Sequence, residues 1–191
     1  MKTYSIVLSS LILSLGSLSH GAAVSLAKAA ELSAHRIDRM VALGKLDAAF
    51  LKKAEKIEAA VQNQPPTFYH VVVSQTQPAQ GAPLQVSITF DQDGKPLASQ
   101  NIAGGVAGPD FAWPGVDAVT LLENSLHYAL DNNANPQVAP YDKGFTKVTL
   151  TKGTYKGQPV ARGQIFSSLT AQKLNVYLGF DGALLGTEFV P

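Results

Sequence analysis

Glu123 and His127 stand one helical turn apart in a stretch whose apolar residues recur at helical spacing. A carboxylate so placed can orient and charge an imidazole, which is half of a general base or half of a metal site. On an exposed helix the same pair is an ordinary ion pair, worth only about 0.3–0.5 kcal/mol. Glu31, His35 and Asp38 form a second set on one helix face, suited by residue type to a divalent metal. Arg36 and Arg39 crowd that set, and any solvated helix face has this composition. A metal-binding or hydrolytic protein using His127 and Glu123 is therefore the alternative expectation; no catalytic residue, metal ligand or cofactor is assigned.

Other chemical motifs are incomplete. The chain has no Gly-x-Ser-x-Gly elbow and no cysteine for a thiol nucleophile or thiolate metal site. Asp91-Gln92-Asp93-Gly94 lacks the downstream glutamate of a calcium loop and falls at a hairpin turn. Gly104 to Gly108 lacks the Lys-Ser/Thr of a phosphate loop. The loop from Asp110 to Gly115 carries Phe111 and the only tryptophan, Trp113, among chain-bending residues. Such rings can offer a flat anchor to a ligand or partner, or fold under to cover a sheet. Tyr128 and Leu121 fall opposite the expected core side of their helix, which suits an interface or a second covering layer. The expected binding residues are thus Phe111, Trp113, Glu123, His127 and Tyr128.

These side chains hang on elements that the patterning outlines. From Ala27 to Gln62 the period is helical, broken at Gly44, with Leu32, Ile37, Met40, Val41 and Leu43 on one side of the first helix. Asp47 can cap a second helix whose stripe is Phe50, Ala54, Ile57 and Val61, so residues 24–64 are expected to form a helical hairpin. Pro65-Pro66 then ends the helix, and strands are expected at 68–73, 84–90 and 97–102, the last two joined by the Asp93-Gly94 turn. A further helix runs between Asp117, a capping residue, and Leu130, with Val119, Leu122, Leu126, Ala129 and Leu130 as its buried side. Strands follow at 145–151, 158–167, 173–180 and 183–190.

The hairpin occurs twice. Leu174, Val176, Leu178, Phe180, Asp181, Gly182 and Leu185 echo Leu84, Val86, Ile88, Phe90, Asp91, Gly94 and Leu97, and a helix precedes each copy. The expected fold is α+β: two helix-then-antiparallel-sheet units in tandem behind an amino-terminal helical hairpin. The expected boundaries are 1–23 for a signal peptide, 24–64 for the helical hairpin, 65–115 for the first β unit, and 116–191 for the helix with the second β unit. The repeated strand, Asp, Gly turn and short apolar strand resembles the PepSY-like group of small exported domains. That resemblance implies an envelope protein without catalytic residues that binds or restrains other proteins, peptidases included.

Met1-Lys2, an apolar run from Tyr4 to Leu18 and the small residues Ser19 to Ala23 read as a signal peptide, cleaved near Gly21 to Ala23. The apolar run is shorter than the roughly 20 residues of a spanning helix. Removing Lys2 leaves a mature charge of about zero, since the whole chain has 15 Lys and Arg against 14 Asp and Glu. A balanced surface argues against nucleic acid, where a basic stripe is usual. The reading is a periplasmic or secreted, non-enzymatic binding module with an envelope protein or a small molecule as partner and no membrane span after signal removal. Its alternatives are the His127/Glu123 protein above and a structural, self-assembling envelope protein.

Overall fold

The computed structural model describes residues 23–62, 66–75, 84–103 and 114–191. The expected signal peptide, Ala23 apart, lies outside the described residues, and so do Phe111 and Trp113. In chain order the elements are α1 (Leu26–Ala42), α2 (Ala49–Lys53), β1 (Ala54–Gln62), β2 (Phe68–Gln75), β3 (Leu84–Asp91) and β4 (Pro96–Ala103). They continue with α3 (Ala118–Asp131), α4 (Ala139–Lys143), β5 (Phe145–Tyr155), β6 (Gln158–Ser167), β7 (Lys173–Leu178) and β8 (Leu184–Val190). The class is α+β, with the strands of the described residues in one eight-stranded antiparallel sheet of order β4-β3-β2-β1-β5-β6-β7-β8. Among the described residues, no helix is long and apolar enough to cross a membrane.

The paired strands β2 and β3 bury alternate residues over most of their length. Val86, Ile88 and Phe90 of β3 pair across to Val73, Val71 and Tyr69 of β2, and all six are in the core. Val72, Thr89 and His70 point to the other, more exposed face. In the middle of the sheet β1 pairs with β5, setting buried Ile57 against buried Val148. Full burial of one such aliphatic side chain contributes about 1.5–3 kcal/mol. Helices α1 and α3 pack against each other and onto the central strands, closing the core.

Local chemistry fixes where these helices begin and end. The Ser25 hydroxyl accepts from the Lys28 amide at 3.1 Å, and the Asp117 carboxylate accepts from the Thr120 amide at 2.9 Å, so each satisfies a donor that an α-helix leaves free. Helix α1 stops at Gly44, whose φ of +66° is the left-handed conformation open to glycine. The Gly44 amide then reaches the Val41 carbonyl and the Lys45 amide the Met40 carbonyl, at 2.9 and 2.8 Å, the two bonds of a Schellman stop.

Three expectations need correction. The helical hairpin is one helix followed by a five-residue turn of helix, because Ala54–Gln62 is strand β1. Its Ala, Glu and Lys favour helix intrinsically, but pairing on both sides with β2 and β5 and burial of Ile57 and Ala59 outweigh propensity. The buried residues of α1 are Ala27, Ala29, Ala30, Ser33, Ala34, Ile37 and Met40 with Glu31, whereas Leu32 is only half-buried and Leu43 is exposed. Small residues let α1 lie close to its neighbours. Leu121 is fully buried rather than on an outer face, since α1 and α2 both pack on α3.

Candidate binding site

Helices α1 and α3 run antiparallel at their contact and exchange two ion pairs. His127 Nδ1 lies 2.9 Å from Glu31 Oε1, and His35 Nε2 lies 3.3 Å from Glu123 Oε1. Ser33 and Ser125, each midway in the chain between the Glu and His of its own helix, are both fully buried, and each donates its hydroxyl to a carbonyl of its own helix. A small side chain is required there: a Cβ on Gly163 of β6 would stand 2.0 Å from Ser125 Oγ, so helix and sheet are already in contact. The set taken from the sequence as a solvated face is thus divided. Glu31 is buried, held by His127 and by Lys28, while His35 remains largely exposed.

The electrostatics follow from that division. Burial would push the Glu31 carboxyl up, but hydrogen bonds from Lys28 and His127 outweigh it and hold the group below the ordinary carboxylate value. The hydrogen bond to Glu31 pushes His127 above the ordinary imidazole value, and Asp131, 3.1 Å from Nε2, adds to it. Burial raises Glu123, with His35 opposing and the charges of Asp38 and Glu31 reinforcing. Burial and the nearby Asp117 raise Asp38. A carboxylate thus stands on each ring nitrogen of His127, at 2.9 and 3.1 Å, and fixes the orientation of the ring.

Beside α3, a cavity of about 240 Å³ opens between the helix and the β7–β8 turn. Asn124, His127, Tyr128 and Asp131 form its polar wall, and Leu178, Gly182 and Leu184 its hairpin side. The Tyr128 hydroxyl lies 3.4 Å from that of Thr187, bringing the ring over β8. Beside α1 a second cavity, also of about 240 Å³, opens between the helix and the β3–β4 turn, lined by Leu32, His35, Arg36 and Arg39 against Phe90, Gly94 and Pro96. Its four helix residues precede those of the first cavity by one constant separation along the chain. The three sheet residues do so by another, slightly shorter one, which matches Phe90 with Leu178 and not with Phe180, the residue that the sequence pattern sets against it.

Of the residues expected from sequence, His127 and Tyr128 line the α3 cavity, and Glu123 stands behind it on the helix seam. Phe111 and Trp113 are outside the described residues. Asn124, Asp131, Leu178 and Leu184 were not expected, nor was the cavity beside α1. One signal for the seam is legible in the chain: Glu31-Leu32-Ser33-Ala34-His35 and Glu123-Asn124-Ser125-Leu126-His127 share the pattern Glu-x-Ser-x-His. Among the described residues, no three His, Asp or Glu side chains converge in a geometry that would hold a metal ion. Comparison of the chain with protein-family models, with curated proteins and with solved structures finds no match.

Proposed function

We propose that this protein is an exported, non-enzymatic binding module built from two copies of a helix-plus-four-strand unit, with the cavities beside α1 and α3 as its ligand sites. The observation that carries the reading is that each residue lining the α1 cavity has a counterpart lining the α3 cavity, on the other half of the chain, Asn132 alone being without one. Other correspondences support duplication. The Val24 amide donates to the Gln92 carbonyl and the Val116 amide to the Phe180 carbonyl, so each helix start is tied to its own hairpin turn. Ser25 and Asp117 cap at matching positions, and each turn is braced by an aspartate: Asp91 accepts from Lys95, and Asp181 from Ala183.

Binding suits the cavities, because each combines a few polar groups with an apolar wall. Export to the periplasm or beyond rests on the amino-terminal sequence, and the likeness to PepSY-like domains on the repeated hairpin. An envelope protein presenting a side chain, or a small molecule, is the partner this reading expects. The test is NMR mapping on the full chain with a panel of small amphipathic fragments. Saturable shifts centred on Asn124, His127 and Leu184, or on their α1 counterparts, and abolished by Leu184→Arg or Pro96→Arg respectively, are expected. Shifts confined to other surfaces, or none, would overturn it.

A further inference from the structure

A further cavity, of about 280 Å³, opens on the face of the sheet turned away from α1 and α3. Lys56 of β1, Ser74 of β2, Gln85 of β3 and Thr149 of β5 line it, and the strand register sets them in one row. Lys56 stands opposite both Ser74 and Thr149, and Ser74 opposite Gln85. All four alternate with core residues, Ile57, Val73, Val86 and Val148. We propose that this cavity binds a neutral, hydroxyl-bearing ring the size of one hexose sugar, a site independent of the cavities beside α1 and α3.

Two features of the backbone make the space. Glu55 is an extra residue in the pairing of β1 with β2, a bulge of the kind that bends a strand. Strand β1 also pairs with β5 only at Lys56, Ile57 and Glu58, although β5 runs on to Tyr155. The other half of the sheet carries a ring at the corresponding place. There Phe166 of β6 stands opposite Lys147 of β5 as Ser74 stands opposite Lys56, and the Lys147 ammonium lies 4.4 Å from the centre of the Phe166 ring. Where one half has a ring, the other has a hydroxyl and a cavity.

The chemistry of the lining selects the ligand. Ser74 is 5% exposed, and its Oγ, which can donate once and accept twice, has no hydrogen-bond partner. Leaving a buried hydroxyl unpaired is costly, so the site favours a ligand that brings a donor or an acceptor to it. Thr149, Thr151 and Gln85 add hydroxyl and amide groups, the Thr151 hydroxyl accepting from Arg162. The charged lining residues are of opposite sign and both are engaged: Lys56 lies 2.8 Å from Glu58, and Glu55 has a partner of its own. An ion therefore meets no unopposed counter-charge, whereas the hydroxyls of a sugar donate and accept as the lining does. The volume falls just below the usual range for drug-sized ligands and holds one substituted ring.

The test titrates glucose, galactose, mannose and N-acetylglucosamine into the full chain, followed by NMR at Lys56, Ser74 and Thr149. Glycerol, which has hydroxyls without a ring, and phenol, a ring with one hydroxyl, are the controls. At least one sugar is expected to bind saturably and more tightly than either control, and Ser74→Ala to weaken it about tenfold, as the loss of one hydrogen bond does. Ser74→Ala should leave the melting temperature of the free protein unchanged or raise it, since no hydrogen bond is lost, and Ser74→Phe should abolish binding. Tighter binding of a methyl glycoside than of its free sugar identifies a glycan chain end as the source; the reverse order identifies a free monosaccharide. Glycerol or phenol bound as tightly as the sugars overturns the assignment, as does binding of no sugar or sugar binding unchanged by Ser74→Ala. A melting temperature lowered by Ser74→Ala would mean that the hydroxyl is already paired in the free protein, which overturns it too.

Discussion

Beside α1 the space between helix and hairpin turn is rimmed by Arg36 and Arg39; beside α3 the matching positions are Tyr128 and Asp131. What the two regions hold in common is the deep or backbone-bound part of the structure: the cap before each helix, the bond from each helix start to its turn, the buried serine and the Glu–His exchange. What differs is the rim. Rim side chains stand at least partly in water, where substitution changes stability little, so charge there can diverge while the scaffold is kept. The comparison therefore separates residues that build the cavities from residues that set the charge of their rims.

The largest effect should come from the glycines that seat each helix start on its turn. A Cβ at Gly115 would stand 1.9 Å from the Phe180 carbonyl oxygen at a φ of +92°, whereas at Gly94, with φ +78°, it would meet only the end of the Leu32 side chain at 2.9 Å. Gly115→Ala is expected to cost about 3 kcal/mol or more and Gly94→Ala about 1–2 kcal/mol. Thermal unfolding reads this at about 2–4 °C per kcal/mol for a chain of this size. Equal losses would mean that the backbone approach at Gly115 is no more constraining than the side-chain contact at Gly94.

Next in size is the seam. Glu31→Gln removes a buried charge on which Lys28 and His127 both converge, and should cost about 1–3 kcal/mol. Glu123→Gln should fall within about 0.5 kcal/mol or stabilise at neutral pH, because burial already disfavours its ionised form. Urea unfolding of the two variants side by side checks the asymmetry.

The pH dependence is smaller. Glu31, lowered in the folded state, contributes stability above its ordinary value near 4.5 and loses it as pH falls through its folded pKa. His127, raised in the folded state, contributes fully below its ordinary value near 6.5 and loses that contribution as pH rises through its folded pKa. Both contributions are complete between those two ordinary values. His127 is 59% exposed, so solvent screens its share to well under 1 kcal/mol. His127→Gln should flatten the alkaline side of a stability-against-pH curve, and an unchanged slope there would detach His127 from the seam. Smallest of all, Arg39→Ala and Asp131→Ala should each leave stability within about 0.5 kcal/mol, as expected of rim positions.

Seven of the eight strands are legible in the residues, because alternation and the turns at Gly94 and Gly182 are local properties of the chain. The Asp117 cap and the stop at Gly44 are legible for the same reason, each depending on one side chain or one backbone angle. Strand β1 is not, since Ala54 to Ala60 favours helix and becomes strand only between β2 and β5. Of the candidate site, His127 and Tyr128 could be singled out by type and spacing, but Glu31 could not be matched to His127 across 96 positions. The sequence by itself determined the class, the caps, the turns and the paired Glu-x-Ser-x-His pattern, all set by contacts within a few residues. Only the tertiary structure decided that α1 and α3 meet antiparallel. That crossing pairs Glu31 with His127 and His35 with Glu123, residues far apart in the chain, and a cavity of its own charge opens beside each helix.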